Sequence, residues 1–390
     1  MKIVIIIPTY NERVNIEKMI PLLEDEIFPK LKQHALHVLI VDDNSPDGTA
    51  DVVKSLAKKW NNIELLSGTK NGLGAAYIRG MKYAMETMHA DAVMEFDADF
   101  QHNPADIPRL VAAMDDGADY AIGSRYTKGG SIPKEWGLDR KFLSVFGNWI
   151  TRIAWRNFSI KDMTSGFKLT RTSVLKKIDL DHLLSKNFAY KMQILHDVVA
   201  IHAKVKEVPI VFNEREVGKS KINQKDQFES LYIVLRLAIY DNKRFIKFLI
   251  VGGTGFILQF STVYVSILLG ADQFIAAMIG GEIAILSNFV LNNLWTFGDT
   301  KSLGAHGSFP QRLLKFNLAS LASIAIQGVV VYFAVKLIGD KIELFGISFH
   351  TGLVILIPTI ALLVIPLNYF IYNKFIWKTH HLKKEHLAEL

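Results

Sequence analysis

Two hydrophobic rhythms divide this chain near residue 240. Before that point, short apolar runs alternate with longer stretches in which apolar positions recur every three or four residues. The short runs, Ile3–Ile7, His37–Val41, Ile63–Leu66, Ala92–Phe96 and Tyr120–Ile122, are rich in β-forming residues and predict strands. The stretches between them, near Asn15–Lys32, Thr49–Lys59, Gly74–Met88 and Pro104–Asp115, predict helices. Strand–helix alternation of this kind predicts an α/β domain built on a mostly parallel sheet. From about Lys247 the rhythm changes to four long apolar segments, Phe248–Leu269, Phe274–Phe297, Phe316–Ile338 and Leu353–Ile376. Each has about 20 residues or more, enough to cross a bilayer as a helix. The second half is therefore expected to be an all-α domain of four transmembrane helices.

Charge sets the expected orientation. Lys243, Arg244 and Lys247 precede the first span, Lys301, Arg312 and Lys315 lie in or beside the second connection, and Lys374, Lys378, Lys383 and Lys384 follow the fourth. The other two connections carry only Lys336 and Lys341, balanced by Asp272, Asp340 and Glu343. The positive-inside rule then places both termini and the α/β domain in the cytoplasm, in an integral, multi-pass membrane protein. Met1–Pro8 is too short an apolar run for a signal peptide and reads as a strand. The 390 residues carry a net charge of +7, which could suggest nucleic acid. With four spans present, juxtamembrane cations near anionic headgroups account for it, and no nucleic-acid partner is expected. Mean hydropathy is +0.20, high for a soluble enzyme. No cysteine is present, which excludes disulfides and thiolate chemistry. No internal repeat, low-complexity segment or obligatory protein partner is evident.

The chemistry concentrates where the strands end. In Val93-Met94-Glu95-Phe96-Asp97-Ala98-Asp99-Phe100-Gln101-His102, the two aspartates are two residues apart after an apolar run, so extended backbone points them the same way. Converging carboxylates repel unless a cation lies between them, and hard oxygen ligands suit Mg²⁺ or Mn²⁺, which commonly share their shell with substrate phosphates. Alone, Asp-x-Asp is better read as a solvated acidic turn. Here Pro8-Thr9-Tyr10-Asn11-Glu12 and Asp42-Asp43-Asn44-Ser45 also fall directly after strands. Parallel sheets bind ligands outside the carboxyl ends of their strands, so the three clusters are expected to share one crevice. The first loop offers an aromatic ring, a carboxylate and backbone groups suited to a base and ribose. Asp42 can accept hydrogen bonds from either. Asn11 and Glu12 could instead help begin the next helix. Asp43 could equally cap the following turn or helix with Ser45 and Asp47. Gly72 and Gly74 could let the backbone approach a ligand closely.

Taken in order, Ile6-Ile7-Pro8-Thr9-Tyr10-Asn11-Glu12, Val41-Asp42-Asp43-Asn44-Ser45-Pro46-Asp47-Gly48-Thr49, Asn71-Gly72-Leu73-Gly74 and Asp97-Ala98-Asp99-Phe100-Gln101-His102 resemble the family 2 glycosyltransferases with the GT-A fold, and within them the dolichol-phosphate mannose synthases. Gly123-Ser124-Arg125-Tyr126, Asp162-Met163-Thr164-Ser165-Gly166-Phe167-Lys168 and the stretch from Glu207 to Lys221 extend the likeness over about residues 3–225. The tail resembles the GtrA-type membrane domain in hydropathy and in Ser287-Asn288-Phe289 through Asn293. The resemblance implies a Rossmann-like GT-A catalytic domain over residues 1–225, an amphipathic linker over 226–244, four transmembrane helices over 245–378 and a cytoplasmic tail over 379–390.

It also implies residue roles. Asp97, Asp99 and Gln101 would hold Mg²⁺ or Mn²⁺. Pro8, Tyr10, Glu12, Asp42, Asp97, Ala98 and Asp99 would bind the nucleotide sugar. Arg125, Arg140, Ser144, Arg215 and Lys221 would meet the acceptor phosphate, with Lys219 a weaker candidate. Asp99, Gln101 and Arg125 would be catalytic. The implied reaction is inverting transfer of mannose from GDP-mannose to dolichyl phosphate, giving dolichyl β-D-mannosyl phosphate and GDP. A phosphate monoester, largely dianionic at neutral pH, already carries its nucleophile as an anion and calls for positioning rather than a general base. One alternative is a polyprenyl-phosphate glycosyltransferase using a UDP-sugar such as UDP-glucose. A processive synthase would carry a Gln-x-x-Arg-Trp signature, which this chain lacks. A lipid-linked sugar flippase or binding protein is the alternative outside the enzymes.

Two further segments suit a membrane surface. Residues 140–156 place Phe142 or Leu143, Phe146, Trp149, Ile150 and Ile153 at helical spacing between Arg140, Arg152 and Arg156. Residues 226–240 do the same with Phe228, Leu231, Tyr232, Leu235 and Ile239. Both could instead be core helices. Within the spans, Asn288, Asn292 and Asn293 are expected to make interhelical hydrogen bonds, Glu282 is an acidic candidate near a span end, and Pro358 and Pro366 should bend the fourth span.

Overall fold

The computed structural model describes residues 1–214, 224–298, 308–344 and 347–379, so Arg215, Lys219 and Lys221 lie outside the described residues. The chain forms two compact units, Met1–Ala238 and Ile239–Leu390, each treated separately below.

The first unit is a seven-stranded sheet of β1 (Lys2–Thr9), β2 (Ala35–Asp42), β3 (Ile63–Ser67), β4 (Ala92–Glu95), β5 (Tyr120–Ser124), β6 (Lys168–Arg171) and β7 (Val205–Pro209). Their order is β3-β2-β1-β4-β6-β5-β7. All neighbours run parallel except β6, which is antiparallel to both β4 and β5. The five strands expected from the sequence are present, in a mostly parallel sheet as expected. The chain winds outward from β1 to β3 and then returns to place β4 on the other side of β1. This reversal opens a crevice at the carboxyl ends of β1 and β4. Because β6 runs backwards, its first residue, Lys168, lies opposite Glu95 at the same end of the sheet. The loop entering β6 therefore arrives at the crevice too.

Helices cover both faces of the sheet: α1 (Arg13–Leu22), α2 (Thr49–Ala57), α3 (Leu73–Glu86), α4 (Ile107–Asp115), α5 (Leu138–Ala154), α6 (Thr172–Leu175), α7 (Tyr190–Ala200) and α8 (Gln224–Asp241). Ile3, Ile5 and Ile7 enter one core with Ile16, Met19, Val53 and Leu110, while Val4 and Ile6 enter another with Tyr77, Met81 and Ile194. This is why β1 is an unbroken apolar run rather than an alternating one. The long helix expected near Asn15–Lys32 is divided into α1, a π-helical turn over Leu23–Ile27 and a 3₁₀ turn over Phe28–Lys30, with Pro21 inside α1.

Gly72 and Gly74 have a reason other than ligand approach. A side chain at Gly72 would meet the Lys186 carbonyl oxygen at 2.5 Å, and one at Gly74 the Asn187 carbonyl oxygen at 2.6 Å. Both glycines let the start of α3 pack backbone-to-backbone on residues 186–187, fixed by a 3.0 Å bond from Ala75 N to the Lys186 carbonyl.

On α5, Phe142 (62% exposed), Leu143, Phe146, Trp149 and Ile153 project from the first unit, and Phe142, Phe146 and Trp149 stack in a row. On α8, Phe228 (72% exposed), Leu231, Tyr232 and Leu235 do likewise, whereas Ile233, Val234 and Leu237 are buried in the core. The apolar residues expected at a membrane surface are thus outside the core of this unit.

Among the described residues of the second unit, four helices are long and apolar enough to cross a membrane: Lys243–Leu268, Gln273–Thr296, Phe309–Ile338 and Thr351–Ile376. The first and third begin several residues before the hydropathy signal. Ser308 caps the third through a reciprocal capping box with Gln311. The fourth is π-helical over Ile360–Val364, between Pro358 and Pro366. Its core is aromatic: Phe248, Phe289, Phe297, Phe316, Tyr372 and Trp377 join all four spans, with Phe297 stacked on Trp377 at 4.4 Å. Of the three asparagines, Asn293 accepts from Trp377 Nε1 at 3.4 Å, whereas Asn288 packs against Gly255.

Candidate active site

Three loops form the crevice, and each turns through a left-handed residue: Asn11 (φ 57°), Asn44 (φ 54°) and Phe100 (φ 61°). Asparagine tolerates this conformation, but a bulky phenylalanine does not adopt it without strain. The strained residue sits between Asp99 and Gln101.

The second loop holds the first. Asn11 N donates to Ser45 Oγ at 3.0 Å, Glu12 N to Thr49 Oγ1 at 3.3 Å and Arg13 N to Asp47 Oδ2 at 3.1 Å. The last two are orphan donors at the start of α1, satisfied from the loop after the adjacent strand β2. The backbone N–H groups of Asn11, Glu12 and Arg13 are therefore spent on holding the loop itself. Glu12 accepts from Asn15 Nδ2 at 2.7 Å, and Lys70 Nζ lies 3.4 Å from the centre of the Tyr10 ring.

Asp42 is buried and accepts from Thr9 Oγ1 at 2.9 Å, Ser45 N at 3.0 Å and Ser45 Oγ at 2.6 Å. Sequence reasoning offered this carboxylate to the nucleotide; the structure builds it into the loop framework. Asp43 caps no helix among the described residues and pairs with Arg79 Nη2 at 2.6 Å. Asp47 takes the capping task for α2, accepting from Thr49 N at 3.0 Å.

In the third loop, Tyr77 OH donates to Asp97 Oδ1 at 2.7 Å, and Gln101 N donates to Asp99 Oδ1 at 3.1 Å. Asp97 Oδ2 accepts no hydrogen bond among the described residues and faces Gly166. Two carboxylates with an adjacent amide form an incomplete oxygen cage, and no cluster of three metal-ligating His, Cys, Asp or Glu side chains occurs among the described residues. That set fits a Mg²⁺-like ion, which keeps waters and takes substrate phosphate oxygens rather than an all-protein shell. Tyr77 is an outer partner of the kind that orients a metal-binding carboxylate. Burial, and then the charges of Asp97 and Glu95, push its phenol well above the usual range, so it remains a donor.

Beneath this loop, Tyr190 OH donates to Glu95, and Lys168 Nζ donates to the Lys191 carbonyl at 3.0 Å. Burial pulls Lys168 down to about 8, opposed by Glu95. His102 is enclosed by Phe96, Phe167 and Phe212, and burial lowers it to about 4, leaving it neutral at physiological pH.

Arg125 is held by Asp162 and Thr164. Its Nε and Nη2 donate to Asp162 Oδ2 and Oδ1 at 2.8 and 2.7 Å, its backbone N adds a bond to Oδ2 at 2.9 Å, and Nη2 also reaches Thr164 Oγ1 at 2.7 Å. The fork expected to meet a phosphate is occupied by a carboxylate. Burial alone would raise the Asp162 carboxyl, but the guanidinium overrides it and holds it below the usual range. Arg140 is exposed on α5 with its guanidinium 4.0 Å over the Trp136 ring, and Ser144 shares a 2.6 Å bond with Tyr126 OH. Asn213 N donates to the Gln101 carbonyl at 2.9 Å, so the chain runs past the Asp97–Gln101 turn two residues before Arg215.

Residues 4–179 match the glycosyl transferase family 2 profile, and residues 247–377 match the GtrA/DPMS transmembrane domain. A dolichol-phosphate mannosyltransferase from Pyrococcus furiosus is 36% identical over 343 residues, covering 87% of this chain and 92% of that protein. The chain is a family 2 glycosyltransferase. It is also a multi-pass membrane protein with a GtrA-type membrane domain. A polyprenol monophosphomannose synthase from Mycolicibacterium smegmatis is 37% identical to the glycosyltransferase over 60% of its chain and 86% of the relative. A glucosyl-3-phosphoglycerate synthase from Mycobacterium tuberculosis, solved with Mn²⁺, UDP and phosphoglyceric acid, overlays 61% of this chain and 78% of its own at 16% identity. Its TM-score of 0.45 is too loose to add to the argument.

Sequence reasoning missed Tyr77, Arg79, Asp162 as the partner of Arg125, and Lys191. Tyr77 and Arg79 sit in an ordinary amphipathic helix, where nothing in the spacing marks them. Asp162 lay inside a recognised motif whose partner was not apparent.

Proposed function

We propose that this glycosyltransferase moves mannose from GDP-mannose to dolichyl phosphate at the cytoplasmic face of the membrane. The products are dolichyl β-D-mannosyl phosphate and GDP. The observation that carries the reading is the Asp97–Ala98–Asp99 turn at the sheet's switch point, with Asp97 Oδ2 open and Asp97 Oδ1 fixed by Tyr77. The mannosyltransferase names of the relatives support the sugar and the polyprenyl phosphate class. The basic loops around the spans support the orientation.

Asp97, Asp99 and Gln101 would hold a Mg²⁺ or Mn²⁺ ion, which neutralises charge on the departing nucleoside diphosphate. Tyr10, Glu12 and Pro8 border the nucleotide, on a loop that Asp42, Ser45 and Asp47 keep in shape. Arg215 and Lys221, with Arg140 and Ser144, receive the acceptor phosphate. Arg125 acts as a positioning residue: through Asp162 it fixes the loop that runs from Met163 into β6. A phosphate oxygen of the acceptor forms the new bond to C1 of mannose as the bond to the diphosphate breaks on the opposite face, inverting that carbon. The dianionic nucleophile needs alignment and partial neutralisation, not proton removal.

The test is incorporation of label by the purified protein from GDP-mannose, UDP-glucose and UDP-N-acetylglucosamine, with dolichyl phosphate in detergent. Label appearing in lipid from GDP-mannose alone supports the reading. Label from a UDP-sugar in its place reassigns the donor.

A further inference from the structure

Lys191 is the second residue of α7, and only 1% of it is exposed. Among the described residues its ammonium makes no hydrogen bond or ion pair; the groups nearest it include the rings of Phe188 at 4.2 Å and Tyr190 at 5.9 Å. It lies over the backbone of Gly166. A side chain there would begin 2.7 Å from Lys191 Nζ, 3.4 Å from His102 Nε2 and 3.6 Å from Asp97 Oδ2. An ammonium, a neutral imidazole and the open oxygen of Asp97 thus line the place left by a missing side chain. The other two buried cations of this region are accounted for, Arg125 by Asp162 and Lys168 by a carbonyl oxygen. Lys191 is not.

A buried ammonium with no oxygen partner carries a large desolvation cost, which an arriving anion would offset. We propose that Lys191 is a second cation of the donor site, its ammonium binding a phosphoryl oxygen of the nucleoside diphosphate beside the ion held by Asp97 and Asp99. This inference rests on the reading of Asp97 and Asp99 as the diphosphate site. When the sugar–phosphate bond breaks, the charge that accumulates on the diphosphate is met by a fixed cation already in place, in a dry setting where such an interaction is strong. The phosphate of the lipid acceptor carries the same chemistry and is the other source of such an oxygen.

The experiment titrates GDP with Mn²⁺ into the full-length protein in detergent, comparing wild type with Lys191→Met and Lys191→Gln, and records melting without nucleotide and KM for dolichyl phosphate. Both substitutions should weaken GDP binding by about tenfold or more, the usual worth of a charged hydrogen bond. Melting of nucleotide-free Lys191→Met should stay level or rise, because an unpaired buried charge has gone. The acceptor KM should hold. GDP affinity within about twofold of wild type overturns the inference. So does an affinity loss that tracks a fall in melting temperature, which would mark Lys191 as structural. A raised acceptor KM with intact GDP binding would move the ammonium to the acceptor phosphate. If the wild type binds GDP equally well in chelator, the diphosphate-site reading itself fails, and the inference with it.

Discussion

Replacing Arg125 with methionine separates the acceptor-phosphate role expected from the sequence from the structural role that its ion pair with Asp162 gives it. Methionine keeps the aliphatic stem and removes the guanidinium. Asp162, with its side chain fully buried and that of Arg125 only 9% exposed, would lose two charge-assisted hydrogen bonds and keep the backbone bond from residue 125. Breaking one half of a buried ion pair costs about 3–5 kcal/mol, because the remaining charge stays desolvated. For a unit of this size that corresponds to a fall of about 6–20 °C in melting temperature. Asp162→Asn in the Arg125→Met background removes the stranded charge and should recover part of the loss, giving a coupling energy of about 1.5 kcal/mol or more. Arg125→Lys should fall between, since an ammonium cannot reproduce the two-pronged contact. The assay is thermal unfolding followed by intrinsic fluorescence, with acceptor saturation measured on whatever folds. An Arg125→Met protein that melts like wild type yet cannot be saturated with dolichyl phosphate would refute the argument and return Arg125 to the acceptor site.

Further outcomes follow from the same geometry. Gly72→Ala places a side chain at φ 103° and 2.5 Å from the Lys186 carbonyl, so it should cost about 2 kcal/mol or more in stability, seen as a lowered denaturation midpoint. Lys168 has its folded pKa lowered to about 8, so the unfolded chain binds the extra proton above that value and stability from this group rises with pH between about 8 and 10.5, by about 3 kcal/mol. Lys168→Met should therefore be the more stable protein near pH 7, with the difference shrinking toward pH 10 in paired denaturation curves. A chain ending after Asp241 keeps every described residue assigned to chemistry. It should bind GDP with Mn²⁺ and transfer to a short-chain acceptor, but transfer poorly to acceptor in vesicles; normal donor binding without any transfer would give the spans a direct part in the site.

What was legible in the sequence follows from how each element is held. β1, β4 and β5 were readable because an apolar run buried on both faces leaves its mark in a single segment. β6 was not: its four residues include Lys168, a lysine fully buried in the sheet, which breaks the pattern that identifies a strand. α7 was hidden in the same way by buried Lys191 and His196. The spans were readable to within a few residues, because lipid imposes composition, whereas the start of the third is set by local capping at Ser308. At the site, sequence located the carboxylates but not their partners. Asp42, Asp43 and Arg125 carry the residue types that ligands need, and each is engaged by another side chain from a distant segment. Such pairings depend on tertiary register, which no local spacing encodes.

The central claim is that Asp97 and Asp99 bind a nucleoside diphosphate through a divalent ion. Mn²⁺ paramagnetic resonance on the full-length protein tests it most directly, because bound and free ion are distinguished whether or not transfer occurs. With wild type, adding GDP should convert free Mn²⁺ to the bound form, and Asp99→Ala should abolish that conversion while melting remains near wild type. Undiminished GDP-dependent Mn²⁺ binding by a folded Asp99→Ala protein would contradict the account.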